Sequence, residues 1–430
     1  MQIIKNIPRQ KWSELCKRPE FEANKLSNIV DEIFSNVKLS GDDAIKFYTE
    51  KFDSIALNNI VLNEEEFKSQ SQKIPVELKT AIKQAKTNIE KFHMAQIRKP
   101  IKVETAPGVF CWQEYRPIQK VGLYVPGGSA PLFSTVLMLA IPAKIAGCKE
   151  IVLCTPPNKN GNIPAPILYA AQLTGVTKII KAGGIQAIAA MTYGTKSVPK
   201  VFKIFGPGNQ YVTQAKQKAF SEGTAIDFPA GPSEVLVLAD NTSNPGFVAA
   251  DLLSQAEHGS DSQVVCLSNS LEFLEKVIEN IELQLSDLPR KEIARNSLNN
   301  ALFLFSASAD ETIDFINEYA PEHLIISVED ETPYLKNIQN AGSVFVGNYS
   351  PESAGDYLSG TNHTLPTNGN AKSYGSLGLD DYIKKISFQR IEKKGLVEIG
   401  NAIQVMANAE GLEAHAKAVQ IRLNESSMID

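Results

Sequence analysis

A chain of 430 residues is too long for a single hydrophobic core and is expected to fold as two or more domains. Its 43% hydrophobic and 21% charged residues match ordinary soluble globular proteins, and a net charge of −5 excludes the basic footprint of a nucleic-acid binder. No apolar run is long enough to span a bilayer and no leader pattern follows Met1, so neither membrane insertion nor export is expected.

Residues 1 to about 95 are predicted helical, with Leu26, Ile29, Val30, Ile33 and Phe34 forming one amphipathic stripe and Ala81 to Phe92 a second. Ser40-Gly41-Asp42-Asp43 is a turn capping the next helix, its acids at the positive end. His93 is expected to be packed or solvated rather than functional.

From Ile118 the pattern alternates strand and helix. Strands 120–125, 151–154, 178–180 and 203–205 run into Pro126-Gly127-Gly128-Ser129, a Pro/Asn/Gly loop, Gly183-Gly184-Ile185-Gln186 and Gly206-Pro207-Gly208-Asn209. That rhythm predicts a doubly wound parallel sheet, with ligands expected beyond the carboxyl ends of its strands. The turn-rich stretch 226–233 reads as a crossing to a second α/β series. That series holds a strand from Glu234 to Ala239, a helix before Gln255 to His258, strands 301–305 and 343–346, and a helix through Tyr319. From Asp380 the chain is again read as helical, and too short to fold alone.

Five scattered cysteines (Cys16, Cys111, Cys148, Cys154, Cys266) without C-x-x-C spacing are expected as reduced thiols, mostly buried, of a cytoplasmic protein. The five histidines are more informative. In Ser254 to Gln263, Gln255 and His258 share a helix face beside the expected C-terminal mouth of a sheet, with Gly259 placed to stop the helix. This is either half of a divalent-metal site or a solvated, capped helix end. In Tyr319-Ala320-Pro321-Glu322-His323-Leu324, Pro321 disfavours helix at Ala320, so Glu322 and His323 leave a helix end on exposed backbone. They are either acid–base equipment or a surface pair. His363 follows Asp356 in a small, polar stretch from Gly347 to Pro366, read as a long structured loop; Asp356 suits a metal shell. His415, taken alone, is a solvated helix residue. No Gly-x-Gly-x-x-Gly follows a strand, and no Walker loop, Gly-x-Ser-x-Gly elbow or His-Glu-x-x-His is present. The residues by themselves lead to a metal-dependent α/β enzyme with Glu/His acid–base chemistry, a nucleotide being left open.

The segments Ser254 to Gln263, Tyr319 to Leu324, Gly347 to Pro366 and Pro229 to Glu234 together resemble the histidinol dehydrogenase family, over about Asn24 to Leu423. The resemblance implies two Rossmann-like parallel-sheet domains without the usual glycine fingerprint, plus N- and C-terminal helical segments. It implies an arm at 1–23, a larger domain split between 24–123 and 234–379, an inserted nucleotide domain at 124–233, and a C-terminal dimerisation segment at 380–430. It also implies a homodimer that oxidises L-histidinol to L-histidine through the aldehyde, the last step of histidine biosynthesis, with one Zn2+ per subunit and two NAD consumed. Zinc ligands would be Gln255, His258, Asp356 and His415, the last from the neighbouring subunit, and the acid–base pair Glu322 and His323. Ser233, His363 and Glu410 match substrate contacts, which the metal ligands and His323 share; Tyr124, Gln186 and Asn209 match NAD contacts. The implied chemistry has zinc orient the substrate, His323 take the hydroxyl proton, and Glu322 activate water for the second oxidation. Asn368 and Gly411 depart from the family's common choices without removing a ligand. A zinc hydrolase and a non-catalytic binding protein are the rival readings: NADH formed from histidinol separates the first, and retention of all four ligands and the Glu-His pair argues against the second.

Overall fold

The computed structural model describes residues 1–5, 8–18, 23–127, 131–229 and 231–427. Gly128 and Ser129 of the first glycine turn, Ala230 of the crossing, 6–7 and 19–22 of the arm and 428–430 at the C-terminus lie outside the described residues. The chain forms two units: Met1–Ala95 with Ile118–Asp381, and Gln96–Pro117 with Tyr382–Asp430.

The alternation that begins at residue 118 yields a five-stranded parallel sheet ordered Lys178–Lys181, Glu150–Thr155, Lys120–Tyr124, Lys203–Phe205 and Ala225–Ile226. The chain first builds outward on one side of Lys120–Tyr124 and then returns to its other side, so the strand order reverses there. The helix Phe133–Ala146 is apolar on every side because Ser134 through Ala143 are all buried; it ends at Gly147, whose φ of 88° suits a residue without Cβ. Glu234–Ala239 opens a second, six-stranded parallel sheet, ordered Ile3–Lys5, Leu302–Phe305, Gln263–Ser268, Glu234–Ala239, His323–Ser327 and Ser343–Val346. Glu234–Ala239 and Gln263–Ser268 are buried at every residue, which is why they read as continuous apolar runs rather than alternations.

Residues 24–95 were grouped by expectation with the second sheet. Their stripe instead packs on the first: Val30, Ile33, Phe34, Ile45 and Tyr48 share a core with Tyr124, Val152, Ile180 and Ile188. The second sheet has its own core on each face, one around Val237, Leu252 and Phe273, the other around Trp12, Leu236 and Phe315. Trp12 and the strand Ile3–Lys5 thus belong to this sheet, Ile3–Lys5 pairing in parallel with Leu302–Phe305.

The second unit corrects the helical reading of the C-terminal stretch. Ile383–Ile391 is a strand, paired antiparallel with Val109–Pro117, which in turn pairs with Ile101–Ala106. Helices Lys393–Ala409 and Glu413–Ser427 follow. Among the described residues no helix is long and apolar enough to cross a membrane.

Candidate active site

Glu322 and His323 stand at the amino edge of the second sheet. Helix Ala309–Tyr319 is stopped by Ala320 in the left-handed region (φ 51°), Pro321 prevents its resumption, and Glu322 leads directly into the strand His323–Ser327. That strand lies between Glu234–Ala239 and Ser343–Val346, so Glu322 and His323 are 5% and 4% exposed. They are therefore not the exposed pair one reading anticipated. A single residue holds both. The Glu234 N–H donates to Glu322 Oε2 at 2.8 Å, and the Glu234 carbonyl lies 3.2 Å from His323 Nδ1. A carbonyl only accepts, so Nδ1 carries the proton and Nε2 is left as a bare lone pair, buried and without a partner among the described residues. Burial drives the His323 imidazole down to about 4, against the pull of Asp356, and so keeps it neutral. Burial, and behind it the charges of Glu234, Glu352 and Asp356, lifts the Glu322 carboxyl well above the usual range, although the Glu234 N–H opposes this.

Glu234 is fixed in turn by Arg18, whose Nε and second terminal nitrogen reach its two carboxylate oxygens at 2.6 and 3.0 Å. Arg18 also donates to the carbonyls of Cys16 and Tyr319 and stacks 3.7 Å from the centre of the Tyr319 ring. Neither Arg18 nor the role of Glu234 was found from sequence.

The helix Pro245–Ala256 connects the strands Glu234–Ala239 and Gln263–Ser268. A crossover helix runs antiparallel to the strands it joins, so its C-terminal end arrives at their amino edge, not at the carboxyl mouth expected. Glu257 caps it in right-handed conformation, and Gly259 has no positive φ. The helix thus ends by an ordinary turn instead of a left-handed glycine. Gln255 is fully buried with both amide atoms unpartnered among the described residues, while His258 is exposed; the two line one cavity of about 290 Å3 with Glu322 and His323. The stretch 347–366 is not all loop: Glu352–Tyr357 is helical and brings Glu352 and Asp356 to this cavity. Gly355 permits that approach, since a Cβ there would meet the Phe345 ring at 2.6 Å. One ligand atom each of His258, Glu352 and Asp356 lies within 4.8 Å of the others. Asp356 Oδ1 is 3.9 Å from His323 Nε2, and Glu352 Oε1 is 3.8 Å from Nδ1. Buried carboxylates, an imidazole and an amide with no protein partner fit a divalent cation better than they fit a core. Glu352 had not been singled out from sequence.

Of the expected substrate contacts, Ser233 and His363 line the same cavity. His363 Nδ1 donates to the Asp356 carbonyl at 3.0 Å, so its Nε2 accepts from the Thr135 hydroxyl at 3.2 Å; burial holds its pKa down. Glu410 caps helix Lys393–Ala409 and His415 lies in helix Glu413–Ser427, both exposed residues of the second unit. Asn368 takes a left-handed conformation (φ 56°), as does Gly411 (φ 73°). His93 is buried, its Nδ1 2.9 Å from the Ile89 carbonyl, and is a packed histidine.

A second cavity, of about 400 Å3, opens at the carboxyl edge of the first sheet and meets the first cavity at Pro126 and Asn209. Its walls include Tyr124, Gly127, Thr155 and Gly183. The Tyr124 hydroxyl accepts from the Gly184 N–H at 3.0 Å, and burial pushes it up to about 12. Gln186 is buried with Oε1 unpartnered among the described residues, and Asn209 caps the helix Gln210–Ser221 by accepting from Val212 N–H. The loop before Asn209 is held from behind: Lys216 pairs with Asp227 in the interior and donates to the Gly206 carbonyl at 3.0 Å, while Gly206 N–H donates to Asp227 Oδ2 at 2.8 Å. Gly206 (φ 130°) has no room for a side chain, as a Cβ would fall 2.1 Å from the Tyr124 carbonyl oxygen. A cleft of this size, glycine-lined and with an orphaned buried amide oxygen nearby, fits a nucleotide.

The family profile described as histidinol dehydrogenase matches residues 16–423. The histidinol dehydrogenase of Bacteroides thetaiotaomicron is 56% identical over 424 residues, covering 99% of both chains. That of Bacteroides fragilis is 55% identical over 425 residues, again 99% of both. The crystal structure of histidinol dehydrogenase from Elizabethkingia anophelis superposes with a TM-score of 0.96 at 54% identity, covering 99% of this chain and 98% of that one. Taken with a buried Glu-His pair that shares a cavity with side chains able to hold a cation, this coverage assigns the chain to the histidinol dehydrogenase family of oxidoreductases.

Proposed function

We propose that this protein carries out the zinc- and NAD-dependent four-electron oxidation of L-histidinol to L-histidine through histidinal, in the cytoplasm, as a homodimer with shared active sites. The observation that carries the reading is the bare His323 Nε2 in one cavity with Glu322, His258, Glu352 and Asp356. Gln255, His258 and Asp356, with His415 of the partner subunit, would hold the zinc, which when bound supplies positive charge to fix the substrate amine and imidazole. Tyr124, Gln186 and Asn209 would line the site for NAD, the acceptor of both hydrides.

The residues of the chain divide the proton work. His323 enters neutral, with Nδ1–H anchored on Glu234, so Nε2 takes the carbinol proton as hydride leaves carbon. Burial raises the Glu322 pKa, so in its ionised form it is a stronger base than a solvated carboxylate for the water that adds to the aldehyde. His323, once it has released its first proton, takes the hydrate proton during the second hydride loss. Ser233, His363 and Glu410 would contact the substrate and hold the aldehyde in place between the two oxidations. A dimer is also favoured by the second unit, where Ile101, Val103, Val397, Val405, Met406 and Ile421 are each at least half exposed. The test is an anaerobic assay of purified protein for zinc content and for NADH formed per histidinol. One zinc per chain and two NADH per histidinol are expected; oxidation without zinc, or hydrolysis without NADH, would overturn the assignment.

A further inference from the structure

The nucleotide cavity contains a carboxylate that the chemistry above does not use. Asp53 closes the helix Asp42–Asp53, where the helix dipole opposes a negative charge, and burial raises its pKa further. Its Oδ2 is buried, and among the described residues it has neither a hydrogen-bond partner nor a cation beside it. Burial of an unpartnered carboxylate oxygen carries a cost, and this one lines the 400 Å3 cavity together with Tyr124, Thr155 and Gly183.

Dinucleotide folds bind the adenosine ribose with an acid at the end of the second strand. Here the second strand of the sheet, Glu150–Thr155, ends in Thr155-Pro156-Pro157-Asn158 and supplies none. Thr155 Oγ1 is likewise buried and, among the described residues, unpartnered. The nicotinamide must reach Glu322 and His323 in the adjoining cavity, which Asp53 does not line, so Asp53 faces the other half of the cofactor. We propose that Asp53, delivered by a helix outside the sheet, accepts the hydroxyls of the adenosine ribose of NAD and excludes the 2′-phosphate of NADP by charge. This rests on the NAD reading above.

The test is calorimetric binding of NAD, 2′-deoxy-NAD and NADP to the zinc-loaded protein without histidinol. Loss of a charge-assisted hydrogen bond is expected to weaken 2′-deoxy-NAD about tenfold against NAD in the wild type. Asp53→Asn is expected to bind NAD about tenfold more weakly, to lose most of the discrimination against 2′-deoxy-NAD, and to narrow the preference over NADP at least tenfold. Equal wild-type affinity for NAD and 2′-deoxy-NAD overturns the proposal without any variant, as does an Asp53→Asn protein with unchanged NAD and NADP affinities. Wild-type protein that binds neither dinucleotide overturns the cofactor reading as well.

Discussion

Glu322→Gln keeps an oxygen to accept the Glu234 N–H but cannot accept a proton, so it separates holding from catalysis. On the proposed mechanism alcohol oxidation needs only His323 as base, whereas aldehyde oxidation needs water activated. The variant should lose about 10²–10³-fold in NADH formation from histidinal and clearly less from histidinol, read as the two phases of a single turnover. Equal loss in both phases would reject the division of labour. Asp251, on helix Pro245–Ala256, whose charge is felt by Glu352, offers a check on the electrostatics behind the cation cluster. Burial pushes its carboxyl up to about 7, so ionising it costs the folded state and not the unfolded one. The cost is absent below about pH 4, grows as pH rises, and is complete above about pH 7. Asp251→Asn should therefore raise stability by about 1–3 kcal/mol at pH 8 and hardly at all at pH 4.5, measured by urea unfolding. A gain of the same size at both pH values would mean that the side chain is not buried as described. At this scale the sequence singled out His258, His323, Asp356 and Glu322, which line one cavity, because few residue types are able to bind metals or move protons near neutral pH. Arg18, Glu234 and Glu352 were hidden because their meaning lies in contacts with distant parts of the chain: Arg18 meets Glu234 across 216 positions.

At the scale of elements, the Arg18–Glu234 pair ties the N-terminal segment to the first residue of a central strand. Its side chains are 7% and 1% exposed, so removing one partner leaves a buried charge uncompensated. Arg18→Met is expected to cost about 3–5 kcal/mol, and adding Glu234→Gln should recover part of it. Urea midpoints of the single and double variants check this, and an unchanged midpoint for Arg18→Met would show that the pair is not essential. Turnover should fall too, since the Glu234 backbone positions both Glu322 and His323. The strand–helix rhythm was readable because buried parallel strands are short apolar runs between glycine and proline. The edge of the sheet to which Gln255 and His258 belong was misread because it depends on helix direction: one segment returns them to the start of the strands, while the glycine loops of the other sheet lie at their ends. The strand Ile101–Ala106 was missed although Ile101, Lys102, Val103 and Glu104 alternate in polarity. Neither face of it is buried in the chain, so its alternation marks no core.

For the whole molecule, the exposed apolar side chains of the second unit and the position of His415 in an exposed helix make one statement if the active site takes His415 from a sister chain. His258→Asn and His415→Asn should each yield folded dimers that bind little zinc and turn over poorly, because each removes a ligand from both sites. A hybrid dimer behaves differently. Its two mutations fall together in one site, and the other site is assembled wholly from unaltered ligands. Co-expression with random pairing makes half the dimers hybrid, each with one intact site, so about one quarter of wild-type activity and zinc should return. If instead both histidines served the site of their own chain, every site in every dimer would carry one defect, and mixing would restore nothing. The recovered fraction therefore reports which chain donates His415, and a mixture as inactive as its parents would remove the shared site.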